Sequence, residues 1–189
     1  MVTYAPYFLS TVVLCGLIIL FVGREGPVGM LYGLFTGKSQ DLLMIPEFFA
    51  DIYVLSDVWQ GTGWGTIIYL AALAGVPQEL IEAAKIDGAN RVQVIRHINI
   101  PCIMPTVTIC LIMSTGGLLA LGFEKIFLLQ NSLNHDASMV ISTYVYNIGL
   151  VGGQFSYSAA IGLFNTVVNL FILMIVNMVT KKISGTGIW

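Results

Sequence analysis

From Ala137 to Thr180 the chain runs without a single charged residue. Three further apolar stretches precede it, at about Pro6–Gly23, Val58–Val76 and Ile100–Phe123. A bilayer span needs about 20 consecutive, mostly apolar residues, and each stretch approaches or meets that length. The last candidate is Ser156–Val179, stopped by Lys181 and Lys182, with a shorter helix expected around Met139–Ile148. Gly149, Gly152 and Gly153 mark a break between the two. Composition agrees: of 189 residues 57% are hydrophobic and 10% charged, where soluble domains carry about 25% charged residues. Mean hydropathy is +0.87. The expected fold class is an all-α membrane protein with about four spans.

Charge sets an orientation. Four spans put both termini and the loop between the second and third spans on one side. That side holds Lys85, Arg91, Arg96, Lys181 and Lys182, against Arg24, Lys38 and Lys125 on the other. Basic residues concentrate in cytoplasmic loops, so both termini are expected in the cytoplasm. Residues 1–23 do not read as a cleaved signal peptide. They lack a basic leading region, and Thr3-Tyr4-Ala5-Pro6-Tyr7 is a poor substitute for one. The near absence of an N-terminal tail before the first span suggests sequence upstream of Met1.

Enzyme chemistry finds little footing. Cys15, Cys102 and Cys110 lie in apolar stretches at no metal-ligand spacing and read as small apolar fillers. His97 and His135 have no partner at a useful spacing. Gly61-Thr62-Gly63-Trp64-Gly65 lacks the strand–turn–helix context of a phosphate loop and reads as a place where helices approach or bend. No paired carboxylates, nucleophile motif or basic nucleic-acid footprint is present, so no catalytic residue, metal or nucleic-acid partner is expected. The lipid bilayer is the one partner composition demands.

The charged island at residues 77–101 is the informative loop. Its core reads Glu-Ala-Ala-Lys-Ile-Asp-Gly-Ala-Asn-Arg-Val-Gln-Val-Ile-Arg-His-Ile-Asn-Ile-Pro from Glu82 to Pro101. Pro77 suits the first position of a helix, with Gln78 and Glu79 in its first turn. Leu80, Ile81 and Ala84 form a short apolar stripe. Asp87-Gly88 ends the helix, because glycine tolerates a left-handed turn. A second helix is expected from about Asn90, with Val94 and Ile98 on one face, and Pro101 marks entry into the third span. A helix–turn–helix lying across the membrane face results.

Glu82-Ala83-Ala84, then Asp87-Gly88-Ala89, then Ile98 and Pro101 resemble the EAA loop of permease subunits of binding-protein-dependent ABC importers. Val92 departs from the pattern, since close relatives usually carry an aromatic there. Ile52–Gln60, Ile141–Tyr146, Gly162–Asn165 and Ser184–Trp189 are also similar to sugar-importer permeases, of the kind linked to polysaccharide or aldouronate uptake in Gram-positive bacteria. That family has six spans and this chain offers four. The resemblance therefore implies a C-terminal portion of a permease in a bacterial cell membrane, with two spans before Met1.

It implies partners too: a second permease subunit, cytoplasmic ATP-binding subunits, an extracellular solute-binding lipoprotein, and a sugar or oligosaccharide. ATP and Mg²⁺ would bind the ATPase, leaving no cofactor in this chain. The loop would couple to the ATPase through Glu82, Ala83, Ala84, Asp87, Gly88, Ala89, Ile98 and Pro101. By analogy with maltose-type permeases, the substrate path would involve Gln60, Gly61 and Trp64 before the loop, and Ser114 and Thr115 after it. Their polar and aromatic groups suit sugars, although Ser, Thr and Gly also serve interhelical packing. Asn165 and Asn169 read as interhelical hydrogen bonders. The rival readings are a non-functional membrane fragment and a permease for another solute class. A secondary transporter would need ionisable groups near span centres, and none is seen.

Overall fold

The computed structural model describes residues 3–119 and 122–184, and of Ile183 and Ser184 only the backbone. The similarity noted at Ser184–Trp189 therefore falls almost wholly outside the described residues. All regular structure among the described residues is helical. In chain order α1 is Thr11–Val22, α2 Pro27–Thr36, α3 Pro46–Ala74 and α4 Gln78–Ile86. Then α5 runs from Arg91 to Gly116, α6 is Phe123–Leu129, α7 His135–Ser138, α8 Ile141–Val151 and α9 Phe155–Ser184. Three helical stretches are long and apolar enough to cross a membrane: Thr11–Thr36, Arg91–Gly116 and Phe155–Lys182. The pair α3 and α4, bent by 68°, makes a fourth if counted as one span.

Three of the four spans differ from expectation in their bounds, the second because α3 already begins at Pro46. The first helix, α1, ends at Val22 with Gly23 as its C-cap, as expected, but α2 starts at Pro27 after a short break and the two together make the candidate span Thr11–Thr36. The third span does not begin at Ile100: helix is continuous from Arg91, and it ends at Gly116 rather than Phe123. Pro101 is therefore not a boundary. A proline ring inside a helix removes a donor and crowds the carbonyl four residues back. Here a π turn at Ile95–Asn99 lies just ahead of Pro101, and the Ile100 amide donates to Ile95 O, one residue further back than usual. The widened turn makes room for the ring.

By contact the chain divides into two compact units. One comprises Met1–Gly63 and Ala120–Leu163. Its core takes Leu14, Ile18 and Val22 from one stripe of α1, with Leu42 and Leu43, Phe49 of α3, and Ile126 and Leu129 of α6. The α1 helix is apolar all round, and its other faces leave Val12, Leu20 and Phe21 exposed, as lipid contact requires. Gly63 is needed for packing in this unit: a Cβ there would strike the backbone of Thr3 and Tyr4. Gly149 is needed likewise, since a Cβ would collide with the Ser158 side chain.

The second unit comprises Trp64–Leu119 and Phe164–Trp189. Here α5 buries Thr108, Ile112 and Thr115, one face at helical spacing, while α9 buries Asn177 and Thr180. The Asn169 side chain donates to Gly116 O, tying α9 to the end of α5 as expected of an interhelical asparagine. Small and polar groups dominate this packing. That suits helices in lipid, where close approach and hydrogen bonds replace the hydrophobic drive.

Candidate functional site

The charged loop folds as two helical arms meeting at a tight turn within the second unit. Pro77 stands just before α4 as its N-cap, and Glu79 lies in the first turn. The helix stops through three backbone hydrogen bonds. Asp87 N donates to Ala83 O at 3.0 Å, Gly88 N to Lys85 O at 3.1 Å, and Ala89 N to Ala84 O at 2.9 Å. The last two form a Schellman motif, which needs a left-handed residue after the C-cap. Gly88 supplies it with φ +80°. Two residues on, Asn90 and Gln93 form a reciprocal capping box, at 2.9 and 2.8 Å, that starts α5. Sequence reasoning missed this box, although the asparagine three residues before a glutamine is its signature.

Glu82, Ala83, Asp87 and Gly88 are exposed, whereas Ala84, Ala89 and Ile98 are half-buried and Pro101 lies in the body of the helix. The residue most exposed at the turn is one the loop motif does not single out. Ile86 shows 87% of its surface, and Val92 across the turn shows 70%. Both are apolar side chains left bare on a charged turn. Their signal in the sequence was an apolar residue off the Leu80–Ile81–Ala84 stripe.

Of the expected sugar-facing residues, Gln60, Gly61 and Trp64 lie within about one turn of α3, and Ser114 and Thr115 are neighbours near the end of α5. Gln60 and Gly61 belong to the first unit, whereas Trp64, Ser114 and Thr115 belong to the second. Ser114 lines an open cavity of about 310 Å³ with Gly65, Ile68, Tyr69 and Cys110. Trp64 is 45% exposed and is not among its lining residues. Thr115 is buried and donates to Leu111 O at 2.7 Å, which commits its hydroxyl to its own helix. Tyr69 brings an aromatic ring and a hydroxyl to the Ser114 cavity, and sequence reading passed over it inside an apolar run.

Two polar constellations in the first unit were also not foreseen. Lys125 is 5% exposed; its Nζ lies 3.3 Å from Asp57 Oδ1 and 5.1 Å from the centre of the Tyr53 ring. Asn134 is fully buried and donates to Leu43 O and Leu129 O, while accepting from Asn131 N. His135 Nδ1 lies 3.5 Å from Oδ1 of Asp136, its neighbour in the chain. Cys15 is buried in the core, as a filler should be, whereas Cys102 is exposed on the helix surface.

Residues 1–185 match the family model described as "Binding-protein-dependent transport system inner membrane component". The chain is 40% identical over 187 residues to the polygalacturonan/rhamnogalacturonan transport system permease protein YteP of Bacillus subtilis strain 168, covering 98% of this chain and 58% of that protein. Protein LplB of the same organism is 39% identical, with 98% and 59% covered. The chain thus spans less than two thirds of the length of these curated relatives. Among solved structures, a chain of a bacterial alginate ABC transporter in complex with an alginate pentasaccharide-bound periplasmic protein superposes with a TM-score of 0.92 at 37% identity. That match covers 99% of this chain and 65% of the other.

Proposed function

The chain belongs to the family of binding-protein-dependent transport system inner membrane components, and on that footing we propose that it forms part of the translocation path of an ATP-driven sugar or oligosaccharide importer. Relatives named for polygalacturonan and alginate make an acidic oligosaccharide a natural cargo. The proposed assembly contains a second permease subunit, cytoplasmic ATPase subunits and an extracellular solute-binding lipoprotein. ATP and Mg²⁺ bind the ATPase, which hydrolyses ATP; this chain contributes no cofactor site. Both termini and the Glu82–Pro101 loop face the cytoplasm.

The observation that carries this reading is the turn at Gly88. Its backbone is closed internally, and it presents Ile86 outward beside the exposed Glu82 and Asp87. Such a knob suits a cleft on a soluble partner. ATP-driven closure of the ATPase pair would move the knob, and the bent α3–α4 pair and continuous α5 would carry that motion into the spans. Ser114, Tyr69 and Trp64 of the second unit, and Gln60 and Gly61 of the first, remain proposed sugar-facing residues, whereas Thr115, its hydroxyl committed to Leu111 O, drops out. Ser114 and Tyr69 are the first to test, because they share a cavity.

Two measurements test the proposal. Full burial of an isoleucine stabilises a contact by about 1.5–3 kcal/mol. Ile86→Ala should therefore weaken recovery of the ATPase with the assembled complex about tenfold or more, and Ile86→Asp should abolish it. Unchanged recovery with both variants would show that the loop is not the docking surface. For orientation, Ile86→Cys and Ser132→Cys in a background lacking the native cysteines should react with an impermeant maleimide from opposite sides. Labelling of position 86 in intact cells would overturn the cytoplasmic assignment.

A further inference from the structure

The two arms of the helical hairpin do not close on each other. Between them lies a cavity of about 400 Å³, walled by Ile81 and Lys85 of α4 and by Arg91, Val94, Ile95 and Asn99 of α5, with Ala89 at the turn. Its chemistry is divided. Lys85 and Arg91 bring two cations to one space, and the ion pairs among the described residues lie elsewhere, at Lys125–Asp57 and His135–Asp136. Like charges sharing a site disfavour each other unless an anion joins them. The remaining wall is aliphatic. Asn99, also in the lining, carries a side-chain oxygen that is itself buried with no hydrogen-bond partner.

An occupant that answers the two cations and the aliphatic wall carries negative charge and hydrocarbon. We propose that this cavity holds the headgroup of an anionic phospholipid, its phosphate between Lys85 and Arg91 and its glycerol backbone along Ile81, Val94 and Ile95. The position favours a lipid over an acidic side chain from a soluble partner. The α5 wall of the cavity lies at the charged start of the same continuous helix, Arg91–Gly116, that is apolar enough to enter the membrane, a position that suits headgroup level. Ile86, the knob assigned above to the ATPase, is not part of its lining. The inference rests on the loop lying at the membrane face and not on ATPase docking.

Native mass spectrometry of the purified chain, with phosphatidylglycerol or phosphatidylcholine added to the detergent, tests it. The expected result is one retained phosphatidylglycerol, preferred over phosphatidylcholine. Lys85→Gln with Arg91→Gln should lower that preference about 25-fold, the combined worth of two basic side chains at an anionic surface. Lys85→Arg should restore it in the presence of Arg91, and Lys181→Gln with Lys182→Gln should leave it intact. No preference in the wild type, or loss confined to the Lys181/Lys182 variant, would overturn the proposal. Displacement of the lipid by inorganic phosphate or glycerol 3-phosphate at millimolar concentration would identify a free-anion site instead. Unchanged lipid binding by the Lys85/Arg91 variant, with loss of ATPase recovery, would assign the cavity to an acidic group of the ATPase. Ile86→Ala serves as the complementary control: it should spare lipid retention even if ATPase docking fails.

Discussion

Replacing Gly88 separates conformation from sterics more cleanly than any other change in the loop. Gly88 holds φ +80°, and a Cβ built on it would meet no heavy atom within 4 Å. The cost of a side chain is therefore almost wholly that of the left-handed backbone. For an L-residue that cost is about 1–2 kcal/mol, and it is larger for a β-branched one. Asparagine visits the region more readily. Gly88→Asn should be mild, and Gly88→Ala should lower the ratio of closed to open turn about fivefold or more. Gly88→Val should lower it about 30-fold or more, since 1.4 kcal/mol is a factor of ten. Apparent affinity for a partner falls with the competent fraction, so ATPase titration against the assembled complex should rank Gly, Asn, Ala, Val. Amide exchange gives an independent reading, because opening the turn frees Ala89 N from Ala84 O. Gly37 is the control: it has φ +72° and equally open surroundings at the end of α2, so Gly37→Val should leave the titration unmoved. If Gly88→Val speeds exchange at Ala89 but binds the ATPase as the wild type does, the turn is not part of the docking surface. If Gly37→Val weakens binding equally, the effect is general destabilisation.

Two further expectations concern the first unit. Asn134→Ala removes two donors from buried carbonyls and should lower the unfolding midpoint in detergent by about 5–10 °C, as a loss of about 2–3 kcal/mol implies; an unchanged midpoint would show that water replaces the side chain. Asp57→Ala should destabilise more than Lys125→Met, because it strands a buried ammonium, whereas Asp57 is 62% exposed and can be hydrated when Lys125 is lost. The reverse order in thermal unfolding would mean that the ammonium is already reached by water.

Local chemistry was legible in the sequence; distant pairing was not. The α4 stop at Asp87-Gly88 and the break near Gly153 (φ +70°) follow from what glycine alone permits, and both stand in the structure. Hydropathy failed where helix and membrane are different questions. The charges at Glu47, Asp51 and Asp57 disfavour hydrocarbon but not helix, so α3 begins at Pro46, well ahead of the apolar stretch that starts near Val58. Proline misled at position 101, because its usual meaning as a boundary fails where a π turn absorbs the ring. The Lys125–Asp57 pair and the Asn134 hydrogen bonds to Leu43 join residues far apart in the chain. No periodicity announces such contacts. The candidate sugar-facing residues rested on resemblance alone, and the Thr115 hydroxyl, buried against Leu111 O, shows why a polar residue in a span need not face a ligand.

In lipid or at its edge, backbone groups cannot count on water, so a chain of this kind satisfies them from within. At the turn of the hairpin much of this is done from within: the amides of Asp87, Gly88 and Ala89 occupy the carbonyls of Ala83, Lys85 and Ala84, and the Asn90–Gln93 box occupies the amides of Asn90 and Gln93. What remains outside is side chain, and it is unevenly chosen, with Ile86 nearly bare and Val92 beside it across the turn. If the turn docks on the ATPase as proposed, recognition there works through shape and apolar area rather than through backbone pairing. Val92 is smaller than the aromatic expected at its position, which leaves Ile86 as the principal anchor. That asymmetry yields a final expectation: Val92→Phe should tighten ATPase recovery, since each added methylene-sized area buried contributes about 0.8 kcal/mol. Weaker recovery would place Val92 against a wall of the partner with no room to spare, and no change would remove it from the contact.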